Sequence, residues 1–157
     1  MIRPYTHADK PQVIHLLRLN TPHYFAEAEE ADLLDYLDRH LEDYFVVEEQ
    51  GVVVGAGGIN YFPEAQLARI SWDIIHSGFQ GKGIGSALTR HRIDMIRENP
   101  AIAKIVVRTS QHVYKFYEKN GFTLEKTAAD FWAPGYDLYQ MVMYLDTAAG
   151  HTPQMIK

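Results

Sequence analysis

The chain has 157 residues, a formal net charge of −5 at pH 7 and no cysteine. This length suits one domain with a single core, the negative charge argues against nucleic acid as a partner, and the lack of cysteine excludes disulfides and thiolate chemistry. No apolar run approaches the roughly 20 residues of a membrane span, and the segment after Met1 lacks a signal-peptide layout, so we expect a cytoplasmic protein without a membrane partner.

Hydrophobic patterning in the first half of the chain predicts a short strand, two helices and then three strands. In chain order these are a strand at 2–5, helices at 8–19 and 29–41, a hairpin of strands at 44–49 and 52–61, and a strand at 67–75. Thr6 is the candidate cap of the first helix. Gly55, Gly57 and Gly58 lie inside a predicted strand, which indicates a bulge or a close approach to the backbone.

The second half continues with helices and strands in alternation. The predicted elements are a helix at 84–98, a strand at 104–109, a helix at 112–119, a strand at 122–126, an aromatic-rich loop at 127–136, a strand at 137–145 and a loosely held tail at 147–157. The order β-α-α-β-β-β-α-β-α-β-β, without repeats or linkers, indicates one α/β (α+β) domain at 1–146 with a mixed sheet and helices on both faces.

The helix at 84–98 has a stripe of residues that predicts its core-facing side. The members of this stripe are Ile84, Ala87, Leu88, His91 and Met95. Because His91 lies among them, we expect a packed, hydrogen-bonded histidine and not a ligand.

Three glycines at alternate positions, Gly81, Gly83 and Gly85, separate the strand at 67–75 from this helix. A tight turn of this kind exposes backbone N–H groups at a helix N-terminus, which is a seat for an anion such as a phosphate. The spacing does not fit a P-loop, because Gly83 follows Lys82, nor a dinucleotide loop, because Ser86 replaces its third glycine. A turn that merely ends the strand is the plainer alternative.

Two segments together resemble the GNAT superfamily of N-acyltransferases. Gln80, Gly83 and Gly85 match its acyl-CoA loop, Gln/Arg-x-x-Gly-x-Gly/Ala, and residues 116–122, Phe-Tyr-Glu-Lys-Asn-Gly-Phe, resemble its second motif. The element order also matches from residue 2 to about 145. The resemblance implies the GNAT fold, with a mostly antiparallel sheet of about seven strands, and acetyl-CoA as the cosubstrate, with no metal. Family members often form homodimers, so the resemblance also favours a homodimer.

The resemblance assigns the acetyl-CoA site to the glycine loop and its neighbours. The implied contacts are Ile74, Ile75, Gln80, Gly81, Lys82, Gly83, Ile84, Gly85 and Ser110. Ile74 and Ile75 would pair with the pantetheine through their backbone, as an added strand does, where their strand splays from the next one. Lys82 either meets a phosphate or is simply solvated. Ser110 stands where the family often has asparagine.

For catalysis, the resemblance makes Tyr117 the acid that protonates the leaving thiolate, with a packed tyrosine as the alternative. Asp73 is the candidate base, with His76, Glu64 or a water relay as alternatives, and a backbone N–H near Ile75 is the candidate oxyanion donor. Strict alternation would place Arg69, Ser71, Asp73 and Ile75 on one face of the strand and Ile70, Trp72 and Ile74 on the other. Asp73 then lies either in the cleft or in a salt bridge.

The acceptor site is expected between the loop after the first helix and the aromatic-rich loop. Tyr24, Phe25 and Trp132 are the main candidates, with Asn20, His23, Phe131 and Tyr136 as further wall residues, although lid packing or a dimer contact also explains the aromatic ones. Glu27, Asp130 and Asp137 are candidates to attract a cationic amine. The sequence therefore predicts an N-acetyltransferase (EC 2.3.1 type) for a primary amine of a small molecule or protein. The alternative is a non-catalytic acyl-CoA sensor with the same fold.

Overall fold

The computed structural model describes residues 1–145, so the predicted tail at 147–157 lies outside the described residues. The strands are β1 (Ile2–Pro4), β2 (Asp43–Glu49), β3 (Val52–Phe62), β4 (Leu67–Ile75), β5 (Lys104–Thr109), β6 (Thr123–Ala133) and β7 (Tyr136–Tyr144). The helices are α1 (Lys10–Leu19), α2 (Glu29–Arg39), α3 (Ile84–Arg97) and α4 (Tyr114–Lys119). The predicted element order is confirmed.

The seven strands form one sheet in the order β1-β2-β3-β4-β5-β7-β6. Every neighbouring pair is antiparallel except β4 and β5, whose pairing runs only from Leu67↔Lys104 to Ile70↔Val107. Beyond that point β4 remains paired with β3 as far as Ile75, and β5 with β7 as far as Thr109. The ends of β4 and β5 therefore separate and leave an opening in the sheet.

Two hydrophobic clusters cover the two faces of the sheet. On one face, side chains of α3 and α4 such as Leu88 and Tyr117 pack with Ile70 and Ile105. On the other face, α1 and α2 pack with residues that include Ile74. The mixed, mostly antiparallel sheet with helices on both faces is confirmed, and the opening between β4 and β5 connects the two faces.

A bulge interrupts β4 just before the opening. The register jumps from Ser71↔Gly58 to Ile74↔Ala56, so that Trp72 and Asp73 together lie opposite Gly57, and Trp72 has φ 50°. A Cβ on Gly57 would lie 2.8 Å from Arg92 Nη1, so only glycine leaves room for that side chain. The bulge and close approach expected from the glycines of β3 are confirmed.

Because the bulge adds one residue, it reverses the alternation of side chains along β4, and the predicted assignment of faces was wrong. Ile70, Asp73 and Ile75 face α3 and α4, whereas Trp72 and Ile74 face α1 and α2. Strict alternation cannot anticipate an inserted residue.

The predicted loop at 127–136 was also wrong, because β6 continues to Ala133 and only Pro134 and Gly135 form the turn to β7. Most of β6 is exposed, and its register shifts twice against β7. An exposed edge strand with bulges lacks the regular alternation that identifies strands in a sequence.

The buried side of α3 differs from the predicted stripe. Leu88, Arg92, Ile93 and Ile96 are buried there, while Ala87 is exposed. His91 packs edge-on against Phe45, with ring centroids 4.8 Å apart, but its buried Nε2 has no hydrogen-bond partner among residues 1–145. The predicted packing of His91 is confirmed, but the predicted hydrogen bond is absent at Nε2 in the part of the chain that the structure describes.

Candidate active site

The glycine loop leads directly into α3. Gly81 and Gly83 have φ of 80° and 82°, a region that side chains other than glycine rarely adopt, and Gly83 is the N-cap residue of the helix. Within the described chain, no group accepts a hydrogen bond from the backbone N–H of any residue from Gln80 to Ser86. A row of free N–H groups at the positive end of a helix is a seat for an anion.

Gly85 has a different reason to be glycine. A Cβ at this position would lie 3.1 Å from the ring of Phe116, which is tighter than ordinary contact. The absence of a side chain therefore lets the first turn of α3 approach α4 closely. This contact joins the two sequence motifs in space.

A side-chain network anchors the loop to the end of β4. Asn20 Nδ2 donates to the carbonyl of Ile75 at 2.9 Å, and Gln80 Nε2 donates to Asn20 Oδ1 at 2.9 Å and to the same carbonyl at 3.3 Å. Asn20 was predicted as a wall of the acceptor site. In addition to lining the cleft, it ties α1, β4 and the glycine loop together.

Tyr117, Asp73 and Arg92 form a buried chain of polar contacts below the opening. The Tyr117 hydroxyl donates to Asp73 Oδ2, and Asp73 Oδ1 forms an ion pair with Arg92. Arg92 is 0% exposed and also donates to the carbonyls of Gly58 at 3.1 Å and Leu88 at 3.2 Å. Asp73 therefore has both predicted environments, since it is ion-paired and also borders the cleft.

Burial and the neighbouring charge of Asp73 raise the pKa of Tyr117 well above its usual value. The phenol is therefore protonated across the physiological range, and it is a weaker acid than an exposed tyrosine. Sequence reasoning missed Arg92. Its spacing of four residues from Leu88 and eight from Ile84 was the available signal, because this spacing puts Arg92 on the buried side of α3.

A cleft of about 1010 Å³ passes through the opening between β4 and β5. The predicted site residues that line it are Tyr117, Asp73, Ile74, Ile75, Gln80, Gly81, Gly83, Gly85, Ser110, Tyr24, Phe25 and Trp132, together with Asn20 and Tyr136. Residues from both faces of the sheet, distant in the sequence, thus border one continuous space.

Other predicted residues do not line this cleft. They are Lys82, Ile84, His23, Phe131, Glu27, Glu64, His76, Asp130 and Asp137. Lys82 lies over the ring of Phe79 at 5.7 Å, and Ile84, the first residue of α3, is partly buried and packs against the core. The carboxylates of Asp130 and Asp137 accept backbone N–H groups at the β6–β7 turn, so the structure does not bring them to the acceptor side.

Ser110 lines the cleft and also forms the turn that precedes α4. Its hydroxyl accepts from the N–H of His112 at 3.2 Å, and its carbonyl accepts from the N–H of Tyr114 at 3.0 Å. This local turn explains why α4 begins at Tyr114 and not at residue 112 as predicted. The hydroxyl remains at the border of the cleft, next to the separated end of β5.

Aromatic rings line the side of the cleft that faces α1 and α2. Trp72 stacks with Phe25 at 6.2 Å between ring centroids and lies 6.4 Å from Tyr36. Across the opening, Trp132 Nε1 donates to the carbonyl of Thr109 at 3.0 Å. Sequence reasoning missed Tyr36, and it assigned Trp72 no role.

Arg69 and Arg108 also line this side of the cleft. The guanidinium of Arg69 lies 4.7 Å from the ring centre of Phe62, and that of Arg108 lies 5.7 Å from the ring centre of Trp132. Neither arginine forms an ion pair with a carboxylate of residues 1–145. Neither arginine has a function predicted from the sequence.

No group of three or more histidine, aspartate or glutamate side chains in the described part of the chain is arranged to hold a metal ion.

No helix of residues 1–145 has the length and apolar character needed to cross a membrane.

Comparisons with known proteins agree with this geometry. The chain is 24% identical over 134 residues to the amino-acid acetyltransferase of Actinobacillus pleuropneumoniae serotype 3 (strain JL03); the match covers 80% of this chain but only 28% of that protein. The chain therefore spans little more than a quarter of the length of this curated relative.

Solved structures share the fold at low sequence identity. The ribosomal-protein-S18-alanine N-acetyltransferase from Escherichia coli superimposes with a TM-score of 0.77 at 16% identity, covering 94% of this chain and 95% of that chain. An aminoglycoside 6'-N-acetyltransferase complexed with coenzyme A gives a TM-score of 0.72 at 17% identity, covering 92% and 96%. The names of these proteins indicate very different acceptors, so the fold does not identify the acceptor.

The family model described as the acetyltransferase (GNAT) family matches residues 10–122. This range includes α1, the glycine loop, Arg92 and the second motif up to Phe122. Because the match covers well over half of the chain, this protein belongs to the acetyltransferase (GNAT) family, and the predicted relationship to the GNAT superfamily is confirmed.

Proposed function

We propose that this protein is an N-acetyltransferase that transfers the acetyl group of acetyl-CoA to a primary amine, with Tyr117 as the general acid. The observation that carries the proposal is the continuity of one cleft between the free N–H groups of the glycine loop and the buried Tyr117. Acetyl-CoA supplies the acetyl group and a thiol leaving group. The chain's own residues bind it, orient it and move the protons.

The backbone N–H groups from Gln80 to Ser86 bind the diphosphate of CoA in this proposal, because they are free and lie at a helix N-terminus. The separated end of β4 then pairs with the pantetheine as a further strand would. The carbonyl of Ile75 already accepts from Asn20 and Gln80. We therefore assign the pantetheine contacts to the other backbone groups at the end of β4 and to Ser110.

During transfer, a bond forms between the amine nitrogen and the acetyl carbon while the carbon–sulfur bond breaks. Tyr117 turns its O–H from Asp73 to the departing sulfur and gives up that proton. Water in the cleft takes the proton released by the amine and returns one to the tyrosinate. Protonation of Asp73 would leave the buried guanidinium of Arg92 without its counter-charge. We therefore propose that Asp73 orients the Tyr117 hydroxyl and that water, not Asp73, is the direct base.

Tyr117→Phe tests this role, because it removes the hydroxyl and keeps the ring packed against Phe116 and Phe122. Thiol release from acetyl-CoA over a panel of amines should fall about 10²-fold, while CoA affinity measured by calorimetry should not change. Tyr114→Phe is the matched control on the same helix, because Tyr114 packs against Tyr139 outside the cleft. Equal turnover in both variants would remove Tyr117 from the mechanism.

The alternative, a CoA-binding sensor, has a distinct outcome in the same experiment. Tight binding of CoA without thiol release on any amine would support the sensor and reject the enzyme. Homodimer formation and a cytoplasmic location remain predictions.

A further inference from the structure

Two arginines on adjacent strands face the acceptor side of the cleft. Arg69 on β4 alternates with the core residues Ala68 and Ile70, so its side chain points to the face that α1 and α2 cover. Arg108 on β5 follows the core residue Val107 and points the same way. Arg69 pairs with Val106, and two residues of strand rise plus one strand spacing put the two arginines roughly 8 Å apart at the backbone.

Both guanidinium groups are held in place without a counter-charge. The buried Nε of each lacks a hydrogen-bond partner within residues 1–145, and the guanidinium carbon of each lies over an aromatic ring, 4.7 Å from the ring centre for Arg69 and 5.7 Å for Arg108. A ring stabilises the flat face of a guanidinium but leaves the N–H groups along its edge free to bind an anion. Burial and the positive charge of Arg108 lower the pKa of Arg69, as expected for two like charges close together.

The carboxylates that share the lining are occupied elsewhere. Glu29 accepts from the N–H of Ala26 at 2.8 Å, and Glu42 accepts from Asn60 and from the N–H of Tyr61. Asp73 is paired with Arg92 on the opposite face. The glycine loop lies at the start of α3, which also packs on that opposite face. The two arginines are therefore separate from the glycine loop that binds the diphosphate of CoA in the proposed function.

We propose that Arg69 and Arg108 bind an anionic group of the acceptor, so that the acceptor is an amine that also carries a carboxylate or a phosphonate. Half-buried, like-charged groups are unfavourable without an anion, and a guanidinium binds a planar or tetrahedral oxyanion through two N–H groups at once. The aromatic wall of Phe25, Tyr36 and Trp72 adjoins this site and suits an apolar side chain. This inference rests on the proposed acetyl transfer.

The test compares amines that differ only in the anionic group. Phenylalanine is paired with phenylalaninamide, 3-aminopropylphosphonate with propylamine, and spermidine serves as a polycation. The amide has the less basic amine, so reactivity alone would favour it. We expect kcat/KM to be at least 10-fold higher for the anionic member of a pair, and the carboxylate and phosphonate arms identify which anion the site prefers.

Variants then assign the preference to the two side chains. Arg69→Met and Arg108→Met should each lower kcat/KM about 10- to 100-fold for the anionic amine and leave its neutral partner nearly unchanged. Arg69→Lys and Arg108→Lys keep the charge but lose the planar guanidinium with its paired N–H donors. For these variants, kcat/KM for the anionic amine should lie between the values of the unsubstituted protein and of the methionine variants. Arg97→Gln, an exposed arginine at the far end of α3, is the control for a loss of net charge.

The outcomes separate this inference from the proposed function. The anion site is rejected if neutral and polycationic amines are acetylated as well as or better than anionic ones. It is also rejected if the methionine variants lose the same factor in kcat/KM for both members of a pair. Either result leaves the proposed acetyl transfer unaffected. If no amine is acetylated, the site is judged by calorimetry with 3-phenylpropionate on the CoA-saturated protein. Binding that weakens at least 10-fold in both methionine variants supports the site, and absence of binding rejects it.

Discussion

The two faces of the sheet treat buried positive charge in opposite ways. On the face covered by α3 and α4, Arg92 is fully buried and its charge is matched by Asp73 and two backbone carbonyls. On the face covered by α1 and α2, Arg69 and Arg108 are half-buried and have no matching carboxylate within residues 1–145. The charge of Arg92 is therefore neutralised by groups within the protein. Arg69 and Arg108 have no such internal partner among the described residues, which is why we assign them to the binding of an anionic ligand.

The largest expected effect is on stability, where the contrast between the faces should be sharpest. Arg92→Met leaves Asp73 unpaired beside Tyr117 and should lower the free energy of unfolding by about 3–5 kcal/mol. Arg69→Met and Arg108→Met remove charges that repel each other, so each should change that free energy by about 0.5 kcal/mol or less. Urea unfolding of the three variants measures these values. A similar loss of unfolding free energy in all three would contradict the difference proposed between Arg92 and the other two arginines.

Alkaline pH should weaken both faces through their buried tyrosines. Burial raises the pKa of Tyr36 to about 12 and that of Tyr117 well above its usual value. The unfolded chain loses these protons near pH 10, before the folded protein does. The contribution of each such tyrosine to stability should therefore be constant below pH 10 and fall by about 1.4 kcal/mol for each pH unit above it, until the pH reaches the pKa of that tyrosine in the folded protein.

Unfolding midpoints at pH 9, 10 and 11 measure this decline. Tyr36→Phe and Tyr117→Phe should each make it shallower, one from each face. Tyr114→Phe serves as the control here as well. A decline of unchanged steepness in both variants would contradict the assigned pKa shifts.

The smallest effect concerns the glycine loop at the mouth of the cleft. Gly83→Ala forces a side chain into φ 82° without a steric clash, which should cost about 1 kcal/mol of stability and weaken CoA binding about 10-fold by moving the N–H groups. Gly51→Ala, at φ 81° in the β2–β3 turn and equally free of contacts, should lose the same stability with no change in CoA affinity. Equal CoA affinity in the two variants would argue against the loop as the diphosphate seat.

The sequence was most informative where function requires specific residue types at fixed spacing. The glycines at 81, 83 and 85 and the segment from Phe116 to Phe122 identified the loop, the position of Tyr117 and the family. The signals at Gly81 and Gly83 are local, because a positive φ favours glycine at one position regardless of the rest of the fold.

The sequence failed where a residue's role depends on distant partners. The bulge at Trp72 reversed the faces of β4, so Asp73 and Arg69 were grouped together although they face opposite sides. Arg92 was overlooked because a charged residue in a helix is usually exposed, and its burial is explained by Asp73 on β4, which faces α3. Arg69 and Arg108 become notable only when the opening between β4 and β5 brings them to the same cleft.

The chain has two tryptophans, and Trp72 and Trp132 both border the cleft. Intrinsic fluorescence should therefore respond to whatever enters it, without an added label. Trp72 belongs to the aromatic wall near α2, whereas Trp132 contacts the end of β5. The Trp72→Phe and Trp132→Phe proteins would therefore report on two different walls. A titration monitored in each protein can follow CoA and amine binding as separate emission changes, which would reveal the order in which the two substrates bind.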